Sequence, residues 1–412
     1  MDRELLAKVS ERIQAWESEM VECLCALVGM PAISPREGGE GEGRKAEYLE
    51  GMLRGWGFSE IAHYDAPDDK APGGKRPNIV VRLRGLDSSR TLWVVAHMDV
   101  VPPGDLKKWE SDPFKAVVKE GKVYGRGAED NGQALVASTF ALRALKELGV
   151  TPPLDIGLIL GSDEETGSEK GVMYMMDKGI FREGDVFLVP DGGNPDGTLL
   201  EVSEKTIMWL KFTVEGKQCH GSMPQKGTNA HRAGMKLALA LDEVLHKRFA
   251  RRNRLFDPPV STFEPTKKEA NVPNINTIPG EDVFYFDMRI LPDFRPGDVE
   301  KVVTSTMKRV AKQTKTKMRY EKVQFAPAAP PTSPDSPIVK KLAECVRAVY
   351  RNRPYAGGIG GGTFAAIFRR AGFDAVVWSR LDDTCHGPNE YARIKNVVGD
   401  AKVMALLMAS FQ

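Results

Sequence analysis

Glu164 and Glu165 stand side by side in Gly161-Ser162-Asp163-Glu164-Glu165-Thr166-Gly167, directly after the apolar run Leu154-Asp155-Ile156-Gly157-Leu158-Ile159-Leu160. Consecutive acids at the end of a strand repel one another, and each raises its neighbour's pKa unless positive charge intervenes. A metal ion would supply that charge, with one carboxylate bound to it and the neighbour free to move a proton. Residues of matching type occur elsewhere. His97 closes the run Trp93-Val94-Val95-Ala96, and Asp99 follows two residues later. In an extended chain Asp99 lies on the same side as His97, where it could accept the ring's second N–H and fix the tautomer. Asp130 lies in Gly125-Arg126-Gly127-Ala128-Glu129-Asp130-Asn131-Gly132, at the start of a helical pattern. The position that would complete a G-x-G-x-x-G nucleotide loop is Asp130 itself, so that reading fails. Asp191 ends a strand within Pro190-Asp191-Gly192-Gly193, and His386 lies in Thr384-Cys385-His386-Gly387-Pro388. Singly, each reads as a turn or core residue. Jointly, His97, Glu164-Glu165 and Asp191 each follow an apolar run, and ligands of open α/β sheets gather at the carboxyl ends of the strands. One metal centre explains the set better than separate coincidences.

The elements that must carry these residues follow from the hydrophobic pattern. Residues 78–83 and 91–96 read as strands, and 133–148 as a helix with Ala, Leu and Val at three- and four-residue spacing. The nearly all-apolar runs 154–160 and 186–189 are expected for strands buried on both faces. This is an α/β pattern with helices covering a mostly parallel sheet. After Glu201 the style changes. Strand 207–214, helix 230–250, strands 270–278 and 283–290 around a Pro279-Gly280-Glu281-Asp282 turn, helix 296–312 and strand 317–325 give the order β-α-β-β-α-β, the split βαβ arrangement. Beyond the Pro-rich stretch 326–331, helices 338–350 and 363–371 and strand 375–378 resume the first style. The expectation is a catalytic domain of residues 1–204 and 322–412, interrupted by an inserted domain of residues 205–321.

Composition narrows the functional classes. The 412 residues carry 58 basic and 56 acidic side chains, a net charge of +2, so no broad basic field points to nucleic acid. No run approaches the ~18 apolar residues of a membrane span. The start, Met1-Asp2-Arg3-Glu4-Leu5-Leu6, has no apolar core of a secretory signal. Five scattered cysteines, Cys23, Cys25, Cys219, Cys345 and Cys385, read as reduced thiols of a cytoplasmic protein.

With these motifs in place, the chain resembles peptidase family M20, the co-catalytic zinc enzymes that include aminoacylases, succinyl-diaminopimelate desuccinylases, acetylornithine deacetylases and carboxypeptidase-dipeptidases. The resemblance covers nearly the whole chain. It rests on His97-Met98-Asp99, on Gly125-Arg126-Gly127 with Asp130, on Glu164-Glu165, on His386 and on the inserted β-α-β-β-α-β unit, which is similar to the family's ferredoxin-like lid and dimerisation domain. It implies two divalent ions, one held by His97 and Asp191, the other by Glu165 and His386, with Asp130 bridging. Histidine and carboxylate ligands suit zinc, and also cobalt or manganese, in a pair about 3.5–4 Å apart. Their charge exceeds that of three ligand carboxylates, which favours a bridging hydroxide and a carboxylate substrate. The resemblance further implies that Glu164 is the general base, that Asp99 belongs to the catalytic set, and that the peptide after Asp130 is cis. His220 would reach the site of a second subunit and polarise the scissile carbonyl. Asn276 and Arg289 would hold a substrate carboxylate, Arg bidentately. Gly362 and Thr363, in the Gly360-Gly361-Gly362-Thr363 run, would open a helix whose N–H groups bind an anion.

Two positions depart from the desuccinylases. Thr363 is followed by Phe364-Ala365-Ala366-Ile367 instead of a Ser-Asp-Gly-Arg-type stretch, and Asp191 stands where a Glu is common, as in the aminopeptidase and dipeptidase branch. The expected activity is hydrolysis of the amide of a small N-acyl amino acid, or of a short peptide with a free carboxylate. A dipeptidase or carboxypeptidase is the alternative within the family. A two-metal phosphoesterase would need a dense cationic clamp, which Arg126 and Arg289 do not make. A non-catalytic binding protein would lack the free base that Glu164 provides. A homodimer through the inserted domain is expected, with no nucleic-acid or membrane partner.

Overall fold

The apolar runs fold as the centre of one sheet. The computed structural model, which describes residues 3–412, orders its eight strands Ile61–His63, Ile79–Leu83, Leu154–Gly161, Asp87–His97, Val186–Gly193, Asp374–Ser379, Leu199–Glu204 and Tyr355–Ile359. The four central strands, Leu154–Gly161 to Asp374–Ser379, run parallel. Ile61–His63, Ile79–Leu83 and Leu199–Glu204 join antiparallel. Every residue of Leu154–Gly161 is buried, which is why that run shows no polar alternation. On one face, Trp93, Val95, Ile159, Phe187, Val189 and Val377 pack with Phe364 and Phe368. On the other lie helices Ala134–Glu147 and Ile394–Ser410, which pack against each other. The parallel strands share one direction, so their carboxyl ends share one edge. There His97 pairs with Gly161 and Ser379 with Gly193.

The chain divides into two compact units. The first comprises the residues up to Val202 with Pro331–Gly357 and Thr363–Gln412, and the second comprises Ser203–Pro330 with Gly358–Gly362. The second unit has a four-stranded antiparallel sheet in the order Thr262–Lys268, Glu281–Ile290, Thr206–Glu215, Lys317–Ala326. Alternate residues Met208, Leu210, Phe212 and Val214 pack under helices Ala230–Arg248 and Pro296–Thr314.

One strand differs from the expectation. Residues 270–278 are not the second long strand of this unit; Thr262–Lys268 is. Pro265 argues against a strand there, yet Thr262–Lys268 lies at the sheet edge and its register shifts between Pro265 and Lys267. An edge bulge tolerates proline because no ladder N–H is needed. Within 270–278, Asn271, Pro273, Asn274 and Asn276 favour loop over ladder. Only Thr277–Ile278 is extended, paired with Cys219–His220. Among the described residues no helix is long and apolar enough to cross a membrane.

Candidate metal centre

The four parallel strands and one turn deliver every member of the site in the first unit. His97 is the last residue of Asp87–His97 and is fully buried. Asp191 lies near the end of strand Val186–Gly193, and Glu164-Glu165 follow Gly161. His386 lies in the loop after Ser379. Asp130 lies in the turn Ala128–Gln133 that leads into helix Ala134–Glu147, and its peptide bond to Asn131 is cis.

These residues converge into two groups that share Asp130. His97 Nε2 is 3.0 Å from Asp130 Oδ1 and 3.2 Å from Asp191 Oδ1. His386 Nε2 is 3.2 Å from Asp130 Oδ2 and 3.1 Å from Glu165 Oε2. Within each group the candidate ligand atoms all lie within 4.8 Å of one another. One oxygen of Asp130 therefore faces each histidine. Asp130 Oδ1 and Glu165 Oε1 are buried and make no hydrogen bond, although Oδ1 sits within ion-pair distance of His97. Unpaired buried carboxylate oxygens carry a desolvation cost, and a cation held by these donors removes it. The residues thus fit a pair of divalent ions.

Asp99 acts differently from the expectation of a simple ring partner. His97 Nδ1 lies 3.1 Å from the main-chain oxygen of Asp99 and 3.4 Å from its Oδ1. The Asp99 carboxylate also accepts the main-chain N–H groups of Glu164, at 3.1 Å, and Glu165, at 3.0 Å. One carboxylate thereby sets both the histidine and the paired glutamates. The Asn131 amide ties two further strands: its Oδ1 accepts the His97 N–H, and its Nδ2 donates to Asp191 Oδ1 at 2.8 Å. The ring edge of Phe364 meets the His97 ring at 5.9 Å.

Asp163, the third acid of the run, has a structural task. Its backbone is left-handed, with φ of 67°. Its N–H goes to Glu42 Oε1, and its carboxylate accepts from Thr166 Oγ1, Lys170 N and Arg76 Nη1. Arg76 is fully buried and also engages both Glu42 oxygens. A buried cation between two buried acids thus pins the turn that presents Glu164 and Glu165. Arg76→Met leaves Glu42 and Asp163 without a counter-charge and is expected to cost about 3–5 kcal/mol of stability. Thermal denaturation measures this, and Arg76→Met combined with Glu42→Leu should recover part of the loss.

The acid excess shifts the titrating groups. Burial pushes Glu165 up to about 7, with Asp130 adding to it. Glu164, part of whose surface is open to solvent, is pushed well up by burial and then by the Asp191 charge. Hydrogen bonds to Asp130 and Glu165 push His386 up to about 10. Burial pulls His97 down, but the Asp191 charge and the close carboxylates of Asp130, Asp191 and Asp99 outweigh it and hold the ring well above its usual value. Without a cation the histidines hold protons at neutral pH, and a bound ion must displace them. The sign is that affinity falls with added acid and climbs as pH rises through about 7 and onward toward about 10. Divalent-ion affinity should therefore rise roughly tenfold per pH unit for each proton displaced. Binding should release protons, which calorimetry in buffers of different ionisation enthalpy detects.

The second unit holds four of the remaining sequence-selected residues, His220, Asn276, Arg289 and Gly362, and Thr363 belongs to the first. His220 Nδ1 accepts the Ser222 N–H at 3.2 Å and lies 2.8 Å from Ser222 Oγ. A neutral ring that accepts at Nδ1 carries its proton on Nε2. Asn276 accepts the Gly221 N–H on its main-chain oxygen beside the short ribbon. Arg289 makes a bidentate contact with Asp287 at 2.7 and 3.0 Å and donates from Nη1 to Gly360 O at 2.7 Å. Part of its guanidinium is thus engaged within its own unit. Gly362 and Thr363 do not open a helix directly: the helix is Ala365–Arg370, and Thr363 Oγ1 accepts the Ala365 N–H.

Sequence reasoning missed the residues that hold these candidate ligands and the strands beside them. Besides Glu42, Arg76 and Asn131, they include Glu129 and Glu390, both buried, and Lys45. Lys45 is buried with Nζ donating to Met98 O at 2.9 Å. Burial pulls its ammonium down to about 8, against the pull of Asp99, Glu390, Glu42 and Asp130. The one signal for it was its position four residues before Leu49, on the buried stripe of helix Gly43–Gly55.

The model of peptidase family M20/M25/M40 matches residues 93–410. An uncharacterised metallohydrolase of Methanococcus maripaludis is 37% identical over 407 residues, covering 93% of this chain and 97% of that protein. Among solved structures, aminopeptidase PepT from Bacillus cereus aligns with a TM-score of 0.75 at 16% identity, over 95% of this chain and 98% of that one. Human carnosine dipeptidase 1 aligns with a TM-score of 0.73 at 19% identity, over 98% of each chain. A dinuclear metal-binding M20 peptidase of Bacillus subtilis aligns with a TM-score of 0.66 at 13% identity, over 96% and 98%. These likenesses extend over the strands and turns that deliver His97, Asp130, Glu164-Glu165, Asp191 and His386, and the chain belongs to peptidase family M20/M25/M40.

Proposed function

We propose that this chain is a two-metal amidohydrolase that cleaves the amide bond of a small N-acyl amino acid, or of a short peptide with a free carboxylate. One observation carries the reading: Asp130 is shared by two ligand groups, and Glu164, next to Glu165 in the chain, belongs to neither. His97 and Asp191 would hold one ion, Glu165 and His386 the other, and Asp130 both. The donors suit zinc first, and cobalt or manganese as well. When bound, the ions would polarise the scissile carbonyl and acidify the attacking water. Glu164 takes that proton on its carboxylate and passes it to the leaving amine. Its raised pKa suits a group that must both accept and return a proton. Asp99 holds Glu164 in place through the main-chain N–H. His220, with its proton on Nε2, is suited to donate to a developing oxyanion. Asn276, Arg289, Gly362 and Thr363 are assigned to the substrate's carboxylate end.

A dipeptidase or carboxypeptidase is the second reading. It is favoured by Asp191 in place of glutamate and by neighbours described as a dipeptidase and an aminopeptidase. The strand order and the two helices of the second unit support a ferredoxin-like lid and dimerisation domain, so a homodimer is proposed, testable by sedimentation. The five cysteines are all free thiols, which supports a cytoplasmic setting. The deciding experiment loads the protein with zinc, cobalt or manganese and offers a panel of N-acyl amino acids, dipeptides and longer peptides. Release of a free amine from an acylated amino acid supports the first reading, and cleavage of dipeptides alone supports the second. No cleavage of any amide by fully loaded protein rejects both.

A further inference from the structure

Two buried carboxylates outside the ligand set cross-link the loops that carry Asp130 and His386. Glu390 belongs to the His386 loop, and its side chain reaches into the Asp130 turn. Its Oε2 accepts from Arg126 Nη1 at 2.6 Å and Gly127 N at 3.0 Å. Its Oε1 accepts the N–H groups of Glu129 and Asp130, both at 3.0 Å. Glu129 belongs to the Asp130 turn and reaches the opposite way. Its Oε1 accepts from Asp382 N at 2.6 Å, and its Oε2 accepts from Thr384 N and from Thr384 Oγ1 at 2.8 Å. Each loop thus inserts an acid into the other's backbone donors.

The loops need such a hold. Gly127 has φ of 78°, and a Cβ there would lie 2.5 Å from Val100 Cγ1. Asp383, His386 and Asn389 all have left-handed backbones, with φ of 63°, 60° and 58°. L side chains disfavour that region, so the loop would relax unless external contacts fixed it. Main-chain donors distributed over 127–130 and 382–384 are what a carboxylate with two acceptor oxygens can fix.

We propose that Glu129 and Glu390 form a reciprocal clamp that sets the separation of Asp130 from His386 and thereby builds the second metal position. They are positioning residues. The inference rests on the two-metal reading and adds a difference between the two acids. Glu129 holds only the loop bearing His386, which belongs to one ligand group. Glu390 holds the turn bearing Asp130, which belongs to both.

The test measures cobalt binding by calorimetry and elemental analysis in two single-position backgrounds. Asp191→Ala leaves only the Glu165–His386 group complete, and His386→Ala leaves only the His97–Asp191 group complete. Adding Glu129→Gln is expected to weaken binding about 10–100-fold in the Asp191→Ala background and by less than about threefold in the His386→Ala background. Adding Glu390→Gln should weaken both. Thr384→Val, which removes one donor to Glu129, should shift affinity the same way as Glu129→Gln but less, and it serves if Glu129→Gln does not fold. A wild-type protein that binds no second ion overturns the two-metal reading itself, and a His386→Ala variant that still binds two overturns the place of His386 in it. If those controls behave, a Glu129→Gln or Thr384→Val variant that weakens both backgrounds equally, or neither, overturns the clamp.

Discussion

Glu164→Gln is expected to lower kcat by about 10²–10⁴-fold while both ions still bind. The substitution keeps the length and planarity of the side chain, and the main-chain N–H that reaches Asp99 Oδ1 is unaffected. What it removes is the ability to take a proton. Glu164 belongs to neither ligand group, so the donors at His97, Asp130, Glu165, Asp191 and His386 are all retained. The neighbour gives the contrast: Glu165→Gln removes a ligand charge and should loosen an ion before it slows chemistry. Steady-state kinetics on ion-saturated protein, with ion content measured on the same sample, separates the two. A Glu164→Gln protein that turns over within about tenfold of the parent would leave the base unassigned. One that loses an ion would make Glu164 a ligand.

The two glutamates, proposed to differ in role, are adjacent in sequence but have different surroundings. Asp99 takes both main-chain N–H groups, and the Arg76–Glu42–Asp163 cluster fixes the turn from behind. The backbone is therefore held, and the side chains diverge from a fixed base. That arrangement explains why three consecutive acids are tolerated: Asp163 is neutralised by Arg76, Glu165 faces His386, and Glu164 is left with a raised pKa.

How much of this was legible depends on the range of the contact. His97, Asp191 and Glu164-Glu165 could be picked out because each follows an apolar run, and parallel strands bring such ends to one edge. His386 and Asp130 were found through their motifs. The supports were not legible because their partners are remote: Asp163 N–H meets Glu42 across 121 positions, and Glu129 meets Thr384 across 255. An acid that caps distant main-chain N–H groups leaves no local periodicity. Asp99 was half legible: its nearness to His97 follows from strand geometry, whereas its hold on Glu164 and Glu165 requires the parallel neighbour Leu154–Gly161. The strand Thr262–Lys268 was obscured by Pro265, because edge position is a property of the sheet and not of the segment.

Asp130→Asn should remove high-affinity binding at both positions, whereas Asp191→Ala or His386→Ala removes only one. The argument is geometric and electrostatic. Asp130 Oδ1 faces His97 and Oδ2 faces His386, so each group of three contains Asp130. The amide is isosteric, but it turns one acceptor into a donor pointed at a cation and removes a charge from both positions. The electrostatics point the same way: burial pushes Asp130 up, but the His386 and His97 rings beside its two oxygens outweigh it and hold the carboxyl well below its usual range. Among the three carboxylates of the two groups it is the one pulled downward, while burial pushes Glu165 and Asp191 up. Loss of one carboxylate ligand shared by two ions should weaken each by at least the 10–100-fold seen for outer-shell changes. Elemental analysis after dialysis against a weak chelator reads the result as ions per chain. Retention of one tightly held ion in Asp130→Asn would mean that the carboxylate serves one position only, and that its second oxygen merely orients the opposite histidine.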